Sequence, residues 1–140
     1  MKQIWTDGSC YPNPGAGGWA WHDGNGQEEW GAQEATTNNR MELTAILRAM
    51  QKLPDGAEAT IFSDSQYCVN GLTVWKNGWK RRNWMKQGKA IPNRDLWMLL
   101  DAQQCRVRAR FEWVRGHDGN PGNERADRMA EAARESISQA

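Results

Sequence analysis

The order in which strand-like and helix-like segments follow one another constrains the fold of this chain most strongly. Three strand patterns come first, over residues 2–7, 19–22 and 27–32. The turn sequence Asp23-Gly24-Asn25-Gly26 predicts that the last two form an antiparallel hairpin. Strands and helices then alternate along the rest of the chain. This order predicts an α/β fold in which a mixed sheet is covered by helices.

Apolar periodicity and turn residues define the remaining segments. Residues 36–53 carry apolar side chains at the spacing of one helical face, which predicts an amphipathic helix. Residues 65–84 are helical in character, but Gly71 and Gly78 interrupt the pattern and predict two short helices and a loop. The other expectations are a loop over residues 10–18, a strand over 57–63, a helix capped by Asn93, a strand over 105–114, a loop over 115–123 and a helix over 124–136.

Chain length and polarity restrict the class of protein. The sequence has 140 residues, the size of one ordinary domain, and we expect residues 1–140 to form a single domain. The longest uninterrupted apolar run is residues 96–100, against the roughly 20 residues that a membrane-spanning helix needs. The three cysteines have no CxxC spacing, which argues against a zinc site and a disulfide framework. We therefore expect a soluble, cytoplasmic protein.

Charge is distributed unevenly along the chain. Residues 65–94 contain seven Lys or Arg and no acid, whereas the other 110 residues carry 11 basic and 17 acidic side chains. A basic segment on an acidic body predicts a polyanionic partner that meets one part of the surface. Trp75, Trp79 and Trp84 accompany these cations, which is typical of nucleic-acid binding. The alternative is that the tryptophans anchor a short helix to the core, and we expect this at least for Trp75.

Two predicted strands end on an aspartate, and two predicted helices carry an acid beside an apolar stripe. Asp7 and Asp64 end the strands, where ligand and catalytic groups of open α/β sheets gather. Glu42 and Asp127 lie on the flanks of the helical stripes, from which a side chain can point along the sheet. Each acid alone is better explained as a turn residue, a surface residue or an ion-pair partner. Four converging acids are best explained by bound cations, because unpaired carboxylates repel one another.

The chemistry of the four acids indicates which cation they would bind. Oxygen-only ligands favour hard ions such as Mg²⁺ or Mn²⁺. Two such ions about 4 Å apart suit phosphodiester cleavage, because one generates hydroxide while the other stabilises the leaving oxygen. His117 precedes the helix of Asp127 in a glycine-rich loop, a placement that suits a proton shuttle, although a loop histidine is usually only solvated. We expect His22, beside a tight turn, to be structural.

Six short motifs in one order and spacing carry a family resemblance. They are Thr6-Asp7-Gly8-Ser9-Cys10, Thr37-Asn38-Asn39-Arg40-Met41-Glu42-Leu43, Ser63-Asp64-Ser65-Gln66-Tyr67, Asp95-Leu96-Trp97, Glu112-Trp113-Val114-Arg115-Gly116-His117 and Asn123-Glu124-Arg125-Ala126-Asp127. Over essentially its whole length the chain resembles bacterial type 1 ribonuclease H. The resemblance implies a ribonuclease H-like fold, in which helices flank a five-stranded mixed sheet whose first three strands are antiparallel.

The resemblance also implies roles for matching residues. Asp7, Glu42, Asp64 and Asp127 match metal-binding carboxylates, with Asp7 expected to bridge two Mg²⁺ ions, and His117 matches a loop histidine that aids proton transfer or product release. Asn13, Asn38, Asn39 and Gln66 match residues that meet the minor groove of the hybrid, and Cys10 matches a residue in the same substrate-facing loop. Thr37 and Asn93 match positions that hold a phosphate of the DNA strand. Residues 76–86 match a basic protrusion, in and beside which lie Lys80, Arg81, Arg82, Trp75, Trp79 and Trp84.

The activity that the resemblance implies is hydrolysis of the RNA strand of an RNA/DNA hybrid by two-metal-ion catalysis, which leaves 3′-OH and 5′-phosphate ends. Three alternatives stay open: a DNA strand-transfer or resolving nuclease on the same fold, a non-catalytic hybrid-binding module, and the nuclease domain of a larger polymerase. The lack of extra DNA-binding domains, the presence of all four acids and the initial methionine favour a stand-alone enzyme. We expect a monomer with no membrane association and no obligatory protein partner.

Overall fold

A five-stranded sheet lies at the centre of the fold. The computed structural model describes residues 2–138. Their strands are β1 Lys2–Cys10, β2 Gly15–His22, β3 Glu28–Thr36, β4 Glu58–Ser63, β5 Met85–Lys86, β6 Lys89–Ala90 and β7 Arg108–Trp113. The sheet order is β3-β2-β1-β4-β7, with β1–β3 antiparallel and with β4 parallel to both β1 and β7. The predicted mixed sheet with three antiparallel first strands is confirmed.

Helices connect and cover the strands. They are α1 Asn38–Gln51, α2 Gln66–Asn70, α3 Lys76–Arg81, α4 Arg94–Arg106 and α5 Pro121–Ser138, and a π-helical turn over Gly71–Trp75 joins α2 to α3. α1 begins after Thr37, whose hydroxyl oxygen accepts a hydrogen bond from the Arg40 amide at 3.2 Å and so satisfies an otherwise free helix donor. In the described part of the chain, no helix combines the length and apolar character needed to cross a membrane.

The two longest helices cover opposite faces of the sheet. On β2, a Cβ at Gly17 would meet the Met41 side chain of α1, and a Cβ at Gly18 would meet the α5 backbone at Ala130 and Arg134. Because successive residues of a strand point to opposite faces, α1 and α5 lie on different sides of β2. Both helices approach the strand so closely that a side chain at either glycine would collide with them.

The hydrophobic core holds α1 against the parallel strands. Leu43, Ile46 and Met50 recur at the spacing of one helical face, and each is fully buried. Ile4 of β1 and Ile61 of β4 are direct neighbours in the sheet and are also buried. Close packing of this kind leaves little freedom for the strand ends that follow, which makes them a rigid base for functional side chains.

The glycines of the central helical segment do not break it. α2, the π-helical turn and α3 follow one another without a loop, so the predicted interruption at Gly71 and Gly78 is wrong. A Cβ at Gly71 would lie 2.1 Å from the Trp97 ring, so this glycine makes room for an indole. The β5–β6 hairpin is absent from the sequence-based prediction, because strands of two residues show no measurable alternation.

Several element boundaries differ from the predicted ones. Cys10 ends β1 instead of beginning a loop, β2 starts at Gly15, and β3 continues to Thr36. These added strand residues are small or polar, so the alternation of apolar side chains does not mark them. α4 continues to Arg106, and the last strand begins only after it. α5 begins at Pro121, whose fixed φ angle suits the first helical position.

Candidate active site

Three acidic side chains meet at one edge of the sheet. Asp7 lies in β1, Asp64 directly follows β4, and Glu42 lies on α1. One carboxylate oxygen of each lies within 4.8 Å of the other two. β1 and β4 are parallel neighbours, so their carboxyl ends share this edge. Asp7 is 3 % exposed and Glu42 4 %, so two of these acids are buried.

Gly8 allows α1 to bring Glu42 to this edge. A Cβ at Gly8 would lie 2.3 Å from the Glu42 amide nitrogen and 2.5 Å from the carbonyl carbon of Met41. The backbone N–H of Gly8 donates a hydrogen bond to Glu42 Oε1. The same residue therefore provides the space for the helix and holds the carboxylate that the helix carries.

The electrostatics of the acids show what kind of ligand they fit. The pKa of Asp7 is raised to about 8, mainly by burial, with smaller contributions in the same direction from Asp64 and Asp127 and an opposing one from a hydrogen bond donated by Glu42. Burial, with a smaller effect from Asp7, also raises the pKa of Glu42 well above its ordinary value. Carboxylates crowded in this way ionise together only when a positive charge compensates them. A donor set of oxygen atoms alone fits a hard divalent cation such as Mg²⁺ or Mn²⁺.

Asp127 and His117 line the same cleft, which has a volume of about 340 Å³. Asp127 belongs to α5 and lies outside the group of three close oxygens. Its Oδ2 atom is 3.8 Å from Nδ1 of His117, whose side chain is 80 % exposed. Arg134, which also lies on α5, pairs with Glu135. The cleft therefore combines three clustered acids, a fourth acid and a histidine at its rim.

The end of β7, the loop after it and the first turn of α5 surround Asp64. Nδ2 of the buried Asn123 lies 3.5 Å from Asp64 Oδ2, and Trp113 Nε1 donates to the Asp64 carbonyl oxygen at 3.1 Å. A Cβ at Gly116 would come within 2.9 Å of Asp64 Oδ2, so the loop backbone passes close to the carboxylate. These supporting residues carry no role in the sequence analysis, although all three lie within the motifs that were recognised there.

Comparison with known proteins identifies the family. A family model described as RNase H matches residues 1–135, nearly the whole chain. The chain belongs to the RNase H family.

Bacterial members of the RNase H family match this chain over most of both lengths. Ribonuclease H from Pseudomonas savastanoi pv. phaseolicola (strain 1448A / Race 6) is 47% identical over 132 residues, which cover 91% of this chain and 89% of the relative. Ribonuclease H from Granulibacter bethesdensis (strain ATCC BAA-1260 / CGDNIH1) is 48% identical over 138 residues, which cover 96% and 92%. A relative from Pseudomonas syringae pv. tomato (strain ATCC BAA-871 / DC3000), 47% identical over 91% of this chain and 88% of its own, is named Ribonuclease HI. The resemblance to bacterial type 1 enzymes is confirmed.

A solved structure of the RNase H family shares the fold. It is the crystal structure of LC9-RNase H1, a type 1 RNase H with the type 2 active-site motif. The two structures superpose with a TM-score of 0.84 at 27% sequence identity, over 97% of this chain and 74% of the other. This similarity confirms the predicted ribonuclease H-like fold class.

Four residues that match RNase H substrate contacts lie beside the cleft or at the start of α1. Cys10 and Asn38 line the cleft. Asn13 Oδ1 accepts a hydrogen bond from the Asn38 amide at 3.1 Å, which connects the segment after β1 to the start of α1. Thr37 caps the same helix end. Polar side chains thus surround one helix terminus next to the acids.

Asn93 immediately precedes α4 but does not cap it. Its φ angle is 61°, and its side chain makes no capping hydrogen bond, so the predicted cap is wrong. The left-handed backbone, which asparagine tolerates, turns the amide elsewhere. Nδ2 donates to the Tyr67 hydroxyl at 3.1 Å, and Oδ1 accepts from Arg40 Nη1 at 3.4 Å. Asn39 and Gln66, by contrast, are exposed at the starts of α1 and α2.

The basic protrusion over residues 76–86 presents part of its positive charge to solvent. Arg81 and Arg82 are exposed. Lys80 is half-exposed, but its Nζ lies 3.0 Å from Asp101 Oδ2. The buried Lys76 pairs with the other carboxylate oxygen of Asp101. One acid therefore holds two lysines, which leaves Arg81, Arg82 and the exposed Lys86 as the freer cations of this group.

The tryptophans of the protrusion differ in exposure. Trp84 is 6 % exposed and belongs to the core, so the structure assigns it to packing instead of the predicted substrate contact. Trp75 is 41 % exposed, which contradicts its expected role as a core anchor. Trp79 is half-buried, and its ring centroid lies 5.9 Å from that of Trp75 and 5.0 Å from that of Trp97. Trp97 thus supports a stack whose outer member is Trp75.

Three further residues line the cleft and have no assignment from the sequence: Ser9, Tyr11 and Arg134. Ser9 and Tyr11 flank Cys10 in the sequence. Arg134 lies seven residues after Asp127 on α5, which is close to two helical turns. That spacing places both side chains on one helix face and is a signal by which Arg134 can be found from the sequence.

Proposed function

We propose that this RNase H family member is an endonuclease that hydrolyses the RNA strand of an RNA/DNA hybrid and leaves 3′-OH and 5′-phosphate ends. The observation that carries the proposal is the meeting of Asp7, Glu42 and Asp64 within 4.8 Å, in a cleft that Asp127 and His117 also line. Membership of the family and relatives named ribonuclease H support the same reaction.

Asp7, Glu42, Asp64 and Asp127 would hold two Mg²⁺ ions, for which Mn²⁺ could substitute. When bound, the ions would lower the pKa of the attacking water and stabilise negative charge on the leaving 3′ oxygen. The protein contributes rigid positions for the carboxylates. Burial of Asp7 and the Gly8 N–H bond to Glu42 hold these groups before substrate arrives, so little reorganisation is needed during the reaction.

His117 is the residue to which we assign proton movement. Its imidazole lies at the rim of the cleft, 3.8 Å from the Asp127 carboxylate, and is largely exposed. An imidazole accepts and releases protons at neutral pH, and its exposure allows exchange with bulk water. Asp127 keeps the ring near the reacting groups, so a proton taken at the site can leave through His117.

Substrate recognition is assigned to two surfaces. Asn13, Asn38, Asn39 and Gln66 would meet sugars and base edges in the minor groove, where the 2′-OH distinguishes RNA from DNA, and Cys10 would face the substrate beside them. Their places beside the cleft and at the starts of α1 and α2 support this assignment. Thr37 and Asn93 would hold a DNA-strand phosphate. Lys80, Arg81 and Arg82, with Trp75 and Trp79, would contact the backbone farther along the hybrid.

Cleavage of end-labelled substrates tests the proposal. Wild-type protein is incubated with RNA/DNA hybrid, RNA duplex, DNA duplex and single-stranded RNA, in Mg²⁺ and in EDTA. We expect metal-dependent cutting of the hybrid RNA strand alone. Asp64→Asn should abolish it, whereas Asp55→Asn removes an acid whose side chain is 87% exposed and should leave the rate unchanged. Tight binding of hybrid without cleavage indicates a binding module instead, and cleavage of DNA duplex indicates a strand-transfer nuclease.

We also propose that residues 1–140 act as one domain, as a monomer in the cytoplasm. A single sheet contains both the first strand and the last, which supports one cooperative unit. The three cysteines Cys10, Cys68 and Cys105 are free thiols, which suits a reducing compartment. Light scattering of the purified protein should give a mass near 15.9 kDa, and a dimer mass would contradict the monomer assignment.

A further inference from the structure

Arg134 is the one permanent cation among the described residues that line the active-site cleft. Four carboxylates share the cleft with it: Asp7, Glu42, Asp64 and Asp127. A polyanionic strand that enters this cleft is repelled by any carboxylate charge that remains uncompensated. A guanidinium in the wall is therefore placed where a phosphate needs attraction most.

The Arg134 guanidinium has hydrogen-bonding capacity that the protein does not use. Its side chain is only 17 % exposed, yet Nε is buried without a hydrogen-bond partner. Nη2 lies 3.6 Å from Glu135 Oε1, longer than the roughly 2.7–2.9 Å of a strong charge-assisted hydrogen bond. The exposed part of the guanidinium therefore keeps donor capacity at its terminal nitrogens that an anion bound in the cleft would use.

Packing holds Arg134 in a defined position. The guanidinium carbon lies 5.8 Å from the ring centroid of Tyr11, close enough for a cation–π contact. A Cβ at Gly18 would lie 2.4 Å from the Arg134 amide nitrogen, so α5 is pressed against β2 at this residue. The side chain is thus prepared for a ligand and does not have to be ordered by it.

We propose that Arg134 binds a phosphate of the RNA strand next to the scissile phosphate and so sets the position of that strand in the cleft. The inference rests on the proposed hybrid cleavage. The scissile phosphate must reach the acids, so the phosphates within reach of another residue in the same cleft are its neighbours on the same strand. The planar fork of arginine matches two phosphate oxygens, which lysine cannot do.

Two substitutions separate charge, fork geometry and packing. Arg134→Met keeps an unbranched apolar stem but removes the charge, and Arg134→Lys keeps the charge but removes the fork. Arg128→Met is the matched control, since Arg128 is exposed on the same helix. We expect Arg134→Met to raise KM about tenfold, the effect of losing one hydrogen bond to a charged group, with kcat changed less than about threefold. The KM of Arg134→Lys should lie between those of wild type and Arg134→Met, and the KM of Arg128→Met should equal that of wild type.

A substrate with one neutral linkage tests the phosphate contact directly. In a series of substrates, each RNA strand carries one 2′-deoxynucleotide with a methylphosphonate linkage, and its position beside the cleavage site changes from one substrate to the next. The control substrates carry the same 2′-deoxynucleotide with an ordinary phosphate. At one position the neutral linkage should raise the KM of wild-type protein about tenfold, and it should not raise the KM of Arg134→Met any further. The slope of log binding constant against log salt concentration should also correspond to about one phosphate contact fewer in Arg134→Met than in wild type.

Binding to intact hybrid, measured in the Asp64→Asn background, separates this inference from the proposed function. If wild-type protein cuts no hybrid but Arg134→Met still weakens binding about tenfold, the function is wrong and the phosphate contact stands. If cleavage occurs and Arg134→Met binds as tightly as its parent, only the contact is wrong. Equal losses at every neutral linkage in both proteins overturn it as well. If Arg134→Met does not fold, as judged by thermal melting, Arg134→Lys with the neutral linkages decides the question.

Discussion

Adding one methyl group at Gly8 tests how the fold positions Glu42. In Gly8→Ala the new Cβ would lie 2.3 Å from the Glu42 nitrogen and 2.5 Å from the Met41 carbonyl carbon, where ordinary contacts are 3.4–4 Å. β1 and α1 must therefore separate by about 1 Å, because both clashing atoms belong to backbone that cannot rotate away. Overpacking of this size costs about 2–3 kcal/mol in the free energy of unfolding.

The same displacement should also reduce catalysis. It moves Glu42 away from Asp7 and stretches the hydrogen bond from the residue 8 amide to the Glu42 carboxylate. A catalytic group displaced by about 1 Å costs roughly 100-fold in rate, while the folded fraction of the variant stays high. Urea unfolding gives the free energy, and kcat for the RNA/DNA hybrid gives the rate.

Gly78→Ala is the matched control. Gly78 lies in α3, and a Cβ there would have nothing within 4 Å. Replacing this partly exposed helical glycine should stabilise the protein by up to about 1 kcal/mol and leave kcat unchanged. If Gly8→Ala unfolds within about 0.5 kcal/mol of wild type and keeps full activity, the contact between β1 and α1 does not position the acid, and the reasoning is refuted.

Three further predictions concern charged groups. Burial lowers the pKa of His22, so below pH 6.5 the unfolded chain binds a proton that the folded protein does not, and this residue destabilises the fold as the pH falls from 7 to 5. The raised pKa values of Asp7 and Glu42 act in the opposite direction in wild type and variant alike, so urea unfolding should show the stability of wild type relative to His22→Gln decreasing over that range, and parallel curves would contradict this. Asp101→Asn leaves the buried Lys76 without a carboxylate and should lower the free energy of unfolding by about 3 kcal/mol in urea. The control Glu58→Gln, at an exposed ion pair, should lower it by less than about 0.5 kcal/mol, and equal losses in the two variants would contradict the prediction. Arg81→Ala should raise KM for the hybrid and lower its salt dependence by about one contact; an unchanged salt slope would show that Arg81 meets no phosphate.

The order of strands and helices along the chain was predictable because its signals are local. The turn at residues 23–26 and the helical stripe after it follow from neighbouring residues, and the structure contains the hairpin and α1 that they predict. Gly71 shows the opposite case. Its small size serves a distant partner, the Trp97 ring, and nothing within a few residues of Gly71 distinguishes that role from a helix break. Asn93 likewise is a residue type that often caps helices, but its side-chain amide donates a hydrogen bond to the Tyr67 hydroxyl instead.

The candidate site divides in the same way. The four acids were identifiable because strand ends and helix flanks are readable positions, and motif spacing then connected them to a family. The residues that contact the acids and hold them in place were not identifiable in this way. Asn123 beside Asp64, and Arg134 in the cleft wall, derive their roles from contacts between segments far apart in the sequence. The exposure of Trp75 and Trp84 was also unpredictable. Both are tryptophans of the same short segment, and their exposure depends on which distant residues pack against each ring.

The sequence by itself determined the order of elements, the family and the identity of the acids, since periodicity, turn chemistry and motif spacing are properties of short segments. Only the tertiary structure decided how close those acids come, which of them are buried, and which cation shares their cleft. These properties depend on helix-to-strand distances of a few ångströms, such as the approach of α1 at Gly8 and of α5 at Gly18. Such distances follow from the simultaneous packing of many side chains, and no single segment of sequence contains that information.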